Sequence, residues 1–410
     1  MKKVRLLIVS ANLAQAGNER WIYEVCKSIN KQAFEVGVLS DKKYLETEAI
    51  QNFSNYYYHA LKKLGVQVYE FLDTRPKSSS FSRLVNRARR LARHLVGKPK
   101  SHIDHSIISL LQKSDVICVI DFYNYATLKD VIHKYCEGRF FIVLHSHKIQ
   151  FDYDPYVWFE KDLNYRFTYA CPKQVEEIGS SGLSLKENSF FFNPLILDLS
   201  NYPNLFSPIL NDTVIFSVFT RIARTKPIDV FIEAFAKIHS QLPINSVLHV
   251  YGEIQDKNYH QELIEAISDS GIGPNSVIFW GHSGDMAESI RNDKVNVYWG
   301  HAMNASCGYA SIEVGAMGVP CIFWNNDSMT DYKSILEQTN NTMLVHNRIE
   351  DFVADNLRYV SDQELLCELS AKQRKFLTER HDISERIKDF ETYVASIASS
   401  GGQGQGNRDT

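Results

Sequence analysis

The chain has 410 residues, so two domains are the first expectation. Apolar residues make up 44% of the sequence and charged residues 23%, a balance typical of a globular protein and not of a disordered one. The formal net charge of −3 gives the whole chain no electrostatic attraction for nucleic acid, and no apolar run reaches the ~20 residues that a membrane span requires.

The seven cysteines form no CxxC pair and no cluster with metal-binding spacing. Most of them lie in apolar runs, where a free cysteine behaves as a small apolar side chain. We therefore expect a cytoplasmic protein with reduced cysteines. The first apolar run is too short for a signal peptide and leads directly into a glycine turn, which favours a first β-strand.

Short apolar runs rich in β-branched and aromatic residues alternate along the chain with longer amphipathic stretches. Such runs, separated by helical patterns, predict parallel strands covered on both faces. The pattern occurs twice, so we expect an α/β protein with two Rossmann-like doubly wound sheets, whose ligands bind at the carboxyl ends of the strands. The predicted strands are Val4–Ser10, Val36–Leu39, Val66–Phe71, Val116–Ile120, Phe140–Leu144, Phe167–Ala170, Phe190–Phe192, Val214–Phe219, Val247–Tyr251, Val277–Trp280, Val295–Tyr298, Cys321–Trp324 and Met343–Val345.

A basic stretch lies between the third and fourth predicted strands. Residues 75–101 contain nine Lys or Arg and no acid, and residues 81–96 place apolar side chains at helical spacing. A basic amphipathic helix is typical of binding to an anionic membrane surface. The same pattern also fits a domain helix with its apolar face in the core, and the sequence leaves both interpretations open. Nucleic acid is a poor third interpretation, because no aromatic residues interleave the basic ones.

Two cations mark the first turn of the second half. Arg221 and Lys226 lie between a predicted strand and a predicted helix, and Pro227 suits the first turn of that helix. Cations beside a helix N-terminus form a good anion site.

A single acid, Glu313, lies in the otherwise small and apolar run of residues 307–321. Gly308 opens this run, and a helix is predicted from Tyr309 to Met317. A carboxylate one turn into the helix leans back toward its N-terminus, where it can accept hydrogen bonds from two adjacent hydroxyl groups of a ribose. The alternative is a surface glutamate that stabilises the helix dipole, which its apolar neighbours disfavour.

These residues occur in two motifs that resemble the retaining glycosyltransferases of family 4, which have the GT-B fold. Residues 220–227 (TRIARTKP) stand in register with the family pattern G-R-L-x-x-x-K-G, with both glycines replaced. Residues 305–320 (ASCGYASIEVGAMGVP) resemble E-G-F-G-x-x-x-x-E-A-M-A-x-G-x-P. The resemblance covers residues 214–325 and implies two Rossmann-like doubly wound parallel-sheet domains that face each other across a cleft.

The resemblance also implies roles for individual residues. Glu313 would bind the ribose of a nucleotide sugar, while Arg221 and Lys226 would neutralise its diphosphate. His145 would contact the transferred sugar, with His147 as the alternative. The remaining implied donor-binding residues are Gly308, Tyr309, Cys307, Ser306, Gly17, Asn18 and Gly252.

One departure from the family concerns the donor sugar. The first glutamate of the family motif, which contacts that sugar, is replaced by Ala305. The open explanations are an unusual donor, lost activity, or a replacement contact from Asn304, Ser306 or His301. An Asp-x-Asp pattern at 152–154 resembles the metal-binding pair of a different fold, but we expect no metal, because Arg and Lys supply the positive charge.

The expected function is the transfer of a sugar from a UDP- or GDP-sugar to a glycan or lipid-linked glycan, with retention and without a cofactor. The alternatives are a degenerate, membrane-associated scaffold and an enzyme similar to nucleotide-sugar 2-epimerases. The expected organisation is an acceptor-binding domain (1–205), a nucleotide-sugar-binding domain (206–380), a helix that returns to the first domain (381–398) and a disordered tail (399–410).

Overall fold

The computed structural model describes residues 2–10, 13, 17–41, 56–71, 105–144, 165–169, 172–180, 185–192, 197–199, 202–209, 213–302, 308–325 and 342–401. Several features singled out in the sequence lie outside the described residues: the basic stretch 81–96, His145 and His147, the Asp-x-Asp pattern at 152–154, and residues 303–307 with Ala305, Ser306 and Cys307.

The first half of the chain forms a seven-stranded parallel sheet. Its strand order is β3-β2-β1-β4-β5-β6-β7. All five residues of β4 and of β5 are buried, as expected for central strands covered on both faces. The strands are β1 Val4–Ser10, β2 Phe34–Asp41, β3 Gln67–Phe71, β4 Val116–Ile120, β5 Phe140–Leu144, β6 Tyr165–Tyr169 and β7 Leu185–Phe192.

Helices connect these strands and cover both faces of the sheet. One face packs into a core built around Trp21 and Val25 of the first helix, and the other packs around Leu111 and Ile132. The helices are α1 Gly17–Ser28, α2 Tyr56–Lys63, α3 His105–Lys113, α4 Asp121–Cys136 and α5 Pro172–Ser180.

The second half forms a six-stranded parallel sheet in the order β10-β9-β8-β11-β12-β13. The strand order reverses direction between the neighbouring strands β8 and β11. The carboxyl ends of these two strands are therefore the expected ligand-binding position. The strands are β8 Thr213–Phe219, β9 Asn245–Tyr251, β10 Val277–Gly281, β11 Val297–Ala302, β12 Cys321–Asn325 and β13 Leu344–His346.

The helices of the second half lie on opposite faces of this sheet. One face packs against Phe231, Phe235 and Leu263, and the other against Ile290 and Ile312. The helices are α6 Ile228–His239, α7 Lys257–Asp269, α8 Met286–Asp293, α9 Gly308–Ala316, α10 Ile349–Ser361, α11 Gln363–His381 and α12 Ile383–Gly401.

The last helix packs against the first sheet. Ile387, Phe390, Val394 and Ile397 of α12 belong to the same apolar cluster as Trp21. The ring of Phe390 meets that of Trp21 edge-on at 5.6 Å between centroids. The C-terminal end of the chain therefore completes a core that begins near its N-terminus.

The predicted fold class is confirmed, because each half contains one parallel sheet with helices on both faces. Each of the thirteen predicted strands corresponds to a strand of the structure. The largest difference is at β7, which begins at Leu185, five residues before the prediction. Within the described part of the chain, no helix combines the length and the apolar character that crossing a membrane demands.

Candidate functional site

Gly252 lies where β9 reaches the carboxyl edge of the second sheet. Its N–H donates to the carbonyl of Gly281 at 2.7 Å, and the neighbouring Tyr251 carbonyl accepts from the N–H of Thr220 at 2.9 Å. A Cβ atom at position 252 would lie 1.8 Å from the Thr220 carbonyl oxygen. Only glycine permits this approach, which brings the ends of β8, β9 and β10 together.

Lys226 and His301 form a pair at the same edge. The Lys226 ammonium donates to His301 Nε2 at 2.8 Å. Burial, with the Arg221 and Lys226 charges, lowers the pKa of His301 to about 3, so the imidazole is neutral at pH 7. Burial and the Arg221 charge lower the pKa of Lys226 to about 8. An ammonium group has no acceptor capacity, so His301 accepts through Nε2 and carries its proton on Nδ1.

Arg221 and Arg224 differ in how they are engaged. Arg221 is exposed, and its guanidinium donates to Gln255 Oε1 at 3.4 Å. Arg224 forms ion pairs with Glu262 and, at 3.5 Å, with Asp256. Arg221 and Lys226 are therefore the two cations of this turn that could meet an anion, since Arg224 is already neutralised by two acids.

The run around Glu313 forms α9. Gly308, with a φ of +70°, begins the helix, and Gly318, with a φ of +83°, ends it. Both angles lie in the left-handed region that favours glycine. At Gly318 a Cβ atom would also lie 2.1 Å from the side-chain oxygen of Asn204, so the segment 202–209 packs closely against the end of the helix.

Glu313 is held through one of its two oxygens. Its Oε1 accepts a hydrogen bond from the Tyr202 hydroxyl and lies 3.6 Å from Arg20 Nη2 of α1. The Glu313 side chain is 20% exposed, and among the described residues its Oε2 has no hydrogen-bond partner. One oxygen thus orients the carboxylate, and the other can accept from a ligand.

Arg20 links Glu313 to a buried polar cluster in the first half. Its Nε lies 2.8 Å from Glu24 Oε1, and its Nη1 donates to the Tyr57 hydroxyl at 3.4 Å. Burial lowers the pKa of Arg20, but Glu313, Tyr57 and Glu24 outweigh it and raise the pKa above the usual value. Arg20 therefore keeps its charge between the two halves of the chain.

Tyr309 and Gly17 meet across the two halves. A Cβ atom at Gly17 would lie 3.5 Å from Cδ2 of the Tyr309 ring. The N-terminus of α1 therefore lies beside the N-terminus of α9, so the positive ends of both helix dipoles point to this region. The Tyr309 hydroxyl is buried, and within the described ranges it has no hydrogen-bond partner.

The structure places the sequence-predicted residues as follows. Gly17, at the start of α1 with Asn18, lies beside Tyr309, while Glu313 follows one turn further into α9. Arg221, Lys226 and Gly252 lie at the carboxyl edge of the second sheet, which leads through β11 into α9. His145, Ser306 and Cys307 lie outside the described residues.

Sequence reasoning missed Arg20, Tyr57 and Tyr202 as partners of the site. Arg20 follows the glycine turn by three residues, which is the one available signal, because that spacing places it near the helix N-terminus. Tyr202 lies in a Pro- and Asn-rich connection without periodicity, and 111 residues separate it from Glu313. Throughout the ranges that the structure describes, no group of three or more His, Cys, Asp or Glu could hold a metal ion.

Comparison with known proteins gives a family match over part of the chain and a shared fold over nearly all of it. Residues 206–376 match the family model of glycosyl transferases group 1, a stretch that contains Arg221, Lys226, Gly252 and Glu313. No curated protein sequence matches the chain.

Solved structures are similar to the chain over nearly its whole length. Anabaena Alr3699/HepE, in complex with UDP and glucose, has a TM-score of 0.68 and 12% identity, and the match covers 96% of this chain and 100% of that chain. A glycosyltransferase from Rickettsia africae has a TM-score of 0.68 and 15% identity, with coverages of 97% and 99%. A TarM variant from S. aureus, in complex with Fondaparinux, alpha-GlcNAc-glycerol and UDP, has a TM-score of 0.63 and 13% identity, with coverages of 96% and 100%. At such identities the likeness shows a shared fold, GT-B.

Proposed function

We propose that this chain, which has the GT-B fold and matches the group 1 glycosyl transferases over residues 206–376, is a retaining glycosyltransferase that needs no metal. The donor is a UDP- or GDP-sugar. The acceptor is a glycan or a lipid-linked glycan on the cytoplasmic side of a membrane. The relatives with bound UDP support the donor class, and the geometry of the site supports the way in which it is held.

The observation that carries the proposal is the arrangement around Glu313. A carboxylate fixed through Oε1 by Tyr202 and Arg20 presents Oε2 for a hydroxyl donor. A ribose supplies two adjacent hydroxyl groups, and a diphosphate next to it suits the N-terminus of α9 at Gly308. A site that suits both ribose hydroxyl groups and a diphosphate fits the nucleoside diphosphate part of the donor.

The pair of cations at the sheet edge supports the chemistry. Departure of the nucleoside diphosphate builds negative charge on the β-phosphate, and fixed cations in a partly buried site stabilise that charge most in the transition state. Lys226 is oriented by its hydrogen bond to His301, so little reorganisation is needed when the charge develops. Arg221 supplies a second positive charge from the solvent side.

Slow donor hydrolysis tests the proposal without knowledge of the acceptor. We would incubate the purified protein with a panel of UDP- and GDP-sugars in the presence of EDTA. We expect hydrolysis of one donor and a decrease of kcat/KM of about 100-fold in Glu313→Gln, since the neutral amide loses the charged acceptor. The matched control is Glu233→Gln, which removes an exposed carboxylate of α6 that pairs with Lys237.

A protein that neither hydrolyses a donor nor binds UDP or GDP by calorimetry would contradict the proposed function. Hydrolysis that stops on addition of EDTA would contradict its metal independence.

Binding of the protein to a membrane surface is tested by flotation with anionic vesicles. Binding that is unchanged when Arg87, Arg89, Arg90 and Arg93 are all replaced by Glu would exclude the basic stretch as the contact.

A further inference from the structure

A groove lies along the outer edge of the second sheet, between the edge strand β10 and α8. Its volume is about 430 Å³, and its lining includes Tyr251, Trp280, Glu288, Asn292 and Asp293. Helix α8 packs through Ile290 on the sheet face that also carries α9. The groove is therefore bounded by the outer side of α8 and by the aromatic side chains of β9 and β10.

Trp280 forms an open aromatic wall of this groove. It is 52% exposed, whereas Trp21 and Trp299 are fully buried. Its ring stacks on Tyr251 at 6.4 Å between centroids and 13° between planes, and Tyr251 in turn stacks on Phe219 at 4.5 Å and 6°. His249 meets the Trp280 ring edge-on at 5.5 Å. The indole is thus held in place by a stack of rings, yet about half of its surface faces solvent.

Most polar groups of the groove are already engaged within the protein. Asp293 Oδ2 lies 3.1 Å from His249 Nδ1. Asp285 caps α8 by accepting from the N–H groups of Ala287 and Glu288 at 2.9 and 3.1 Å. These contacts fix the wall of the groove and the start of the helix.

Glu288 and Asn292, unlike the polar groups just described, have side chains that are not engaged within the described part of the protein. They are four residues apart on α8, so they share one face of the helix, and both are exposed. Within the part of the chain that the structure describes, neither side chain forms a hydrogen bond or an ion pair. A carboxylate and an amide are thus available next to a fixed indole ring, and together they offer both acceptors and donors.

We propose that this groove binds a neutral saccharide unit. The C–H face of a pyranose covers an indole ring, and adjacent sugar hydroxyls pair with a carboxylate and an amide. Charge disfavours anionic ligands: Asp285, Glu288 and Asp293 line the groove without any Lys or Arg, so a nucleotide or a sulfated glycan would be repelled. The inference goes beyond the proposed transferase function, because binding here requires neither donor nor transfer.

The groove lies near the donor site but on a different surface. The N–H of Gly252 donates to the carbonyl of Gly281, the residue that follows Trp280, so the two sites are joined through the backbone of one strand pair. The cations Arg221 and Lys226 do not line the groove. A glycan held on Trp280 would therefore occupy a surface next to the donor site without competing for its positive charge.

Fluorine NMR on protein labelled with 5-fluorotryptophan tests the inference directly. The chain has five tryptophans, and Trp280→Phe assigns the relevant resonance. The probes are maltotetraose, cellotetraose, chitotetraose and mannotetraose, with UDP as the anionic comparison. We expect one or more neutral oligosaccharides to shift the Trp280 resonance saturably. We further expect Glu288→Gln and Asn292→Ala each to raise Kd about tenfold.

The matched control is Glu265→Gln, which removes an exposed carboxylate from α7 on the opposite face of the sheet. Unchanged resonances of the other tryptophans show that each variant is folded. The inference is overturned if no oligosaccharide moves the Trp280 resonance, or if UDP alone moves it. Donor hydrolysis tests the proposed transferase function, and the NMR experiment tests saccharide binding at Trp280. A negative result in one experiment therefore does not affect the interpretation of the other.

Discussion

Lys226 loses its proton between about pH 7 and 9, because burial and the Arg221 charge lower its pKa to about 8. A phosphate-binding cation must be protonated, so the affinity for UDP should fall as pH rises through 8, by up to about tenfold per pH unit. Calorimetry with UDP between pH 7 and 9 measures this dependence. Lys226→Arg keeps its charge over that range and should remove the decrease.

The same pKa predicts the opposite trend for stability. Between pH 8 and the unfolded value of 10.5, the folded chain binds fewer protons at Lys226 than the unfolded chain does. The free energy of unfolding should therefore rise with pH in this window while the affinity for UDP falls.

One outcome of the calorimetry would contradict the first of these two predictions. An affinity for UDP that stays constant from pH 7 to 9 in the wild-type protein would show that Lys226 does not contact the phosphates.

At the scale of residues, the sequence singles out Glu313 as a candidate but not the residues that contact it. A lone carboxylate in an apolar run is unusual enough to indicate a site. Arg20 and Tyr202 look like ordinary polar residues, and only the fold brings them to Glu313. The pairing of Lys226 with His301 has the same origin, because it joins the turn after β8 to the end of β11, 75 residues further along the chain.

At the scale of elements, α9 packs closely against α11 because a glycine, Gly315, lies at the contact. A Cβ atom at Gly315 would lie 2.2 Å from Leu377 Cδ1, and Leu377 is 1% exposed. Gly315→Ala should therefore lower the free energy of unfolding by about 1–3 kcal/mol, in spite of the better helix propensity of alanine. Thermal unfolding followed by circular dichroism measures the change.

Gly179 provides the matched control for this substitution. It is also helical, but it is exposed, and no atom lies within 4 Å of a Cβ at that position. Gly179→Ala should stabilise the chain by up to about 1 kcal/mol. Equal effects of the two substitutions would mean that the contact between α9 and α11 is loose.

The strands of both sheets were predictable because they are continuous apolar runs, as central parallel strands must be. The prediction came closest where burial is complete, as in β4 and β5, whose bounds agree at both ends. It was least accurate at β7, an edge strand whose first half, Leu185–Ser189, contains Lys186, Glu187 and Asn188. An edge strand needs no second apolar face, so periodicity alone understates its length.

At the scale of the whole molecule, α12 contributes a large part of the free energy of unfolding, although it is only one helix of 19 residues. Ile383, Ile387, Phe390, Val394 and Ile397 are each at most 7% exposed within the first core. At about 2 kcal/mol for each buried side chain, the helix contributes roughly 10 kcal/mol, which is comparable with the total stability of a domain. A chain that ends after His381 should therefore fail to fold its first half, as seen by proteolysis and by the loss of soluble protein.

A chain that ends after Gly401 retains the complete helix and is the control for this truncation. Its melting temperature should equal that of the full chain. A soluble 1–381 chain with an unchanged melting temperature would show that α12 is dispensable, in contradiction to its packing against Trp21 and Phe141.

The placement of α12 also has a consequence for synthesis on the ribosome. The first sheet can form most of its strand pairs early in translation, but the face around Trp21 and Phe141 lacks the cover of α12 until that helix has left the exit tunnel. During that interval the nascent chain exposes a large apolar surface that other proteins can bind. The first half is thus translated before the helix that completes its core, so its yield in the cell should depend on chaperones that shield it until α12 has emerged.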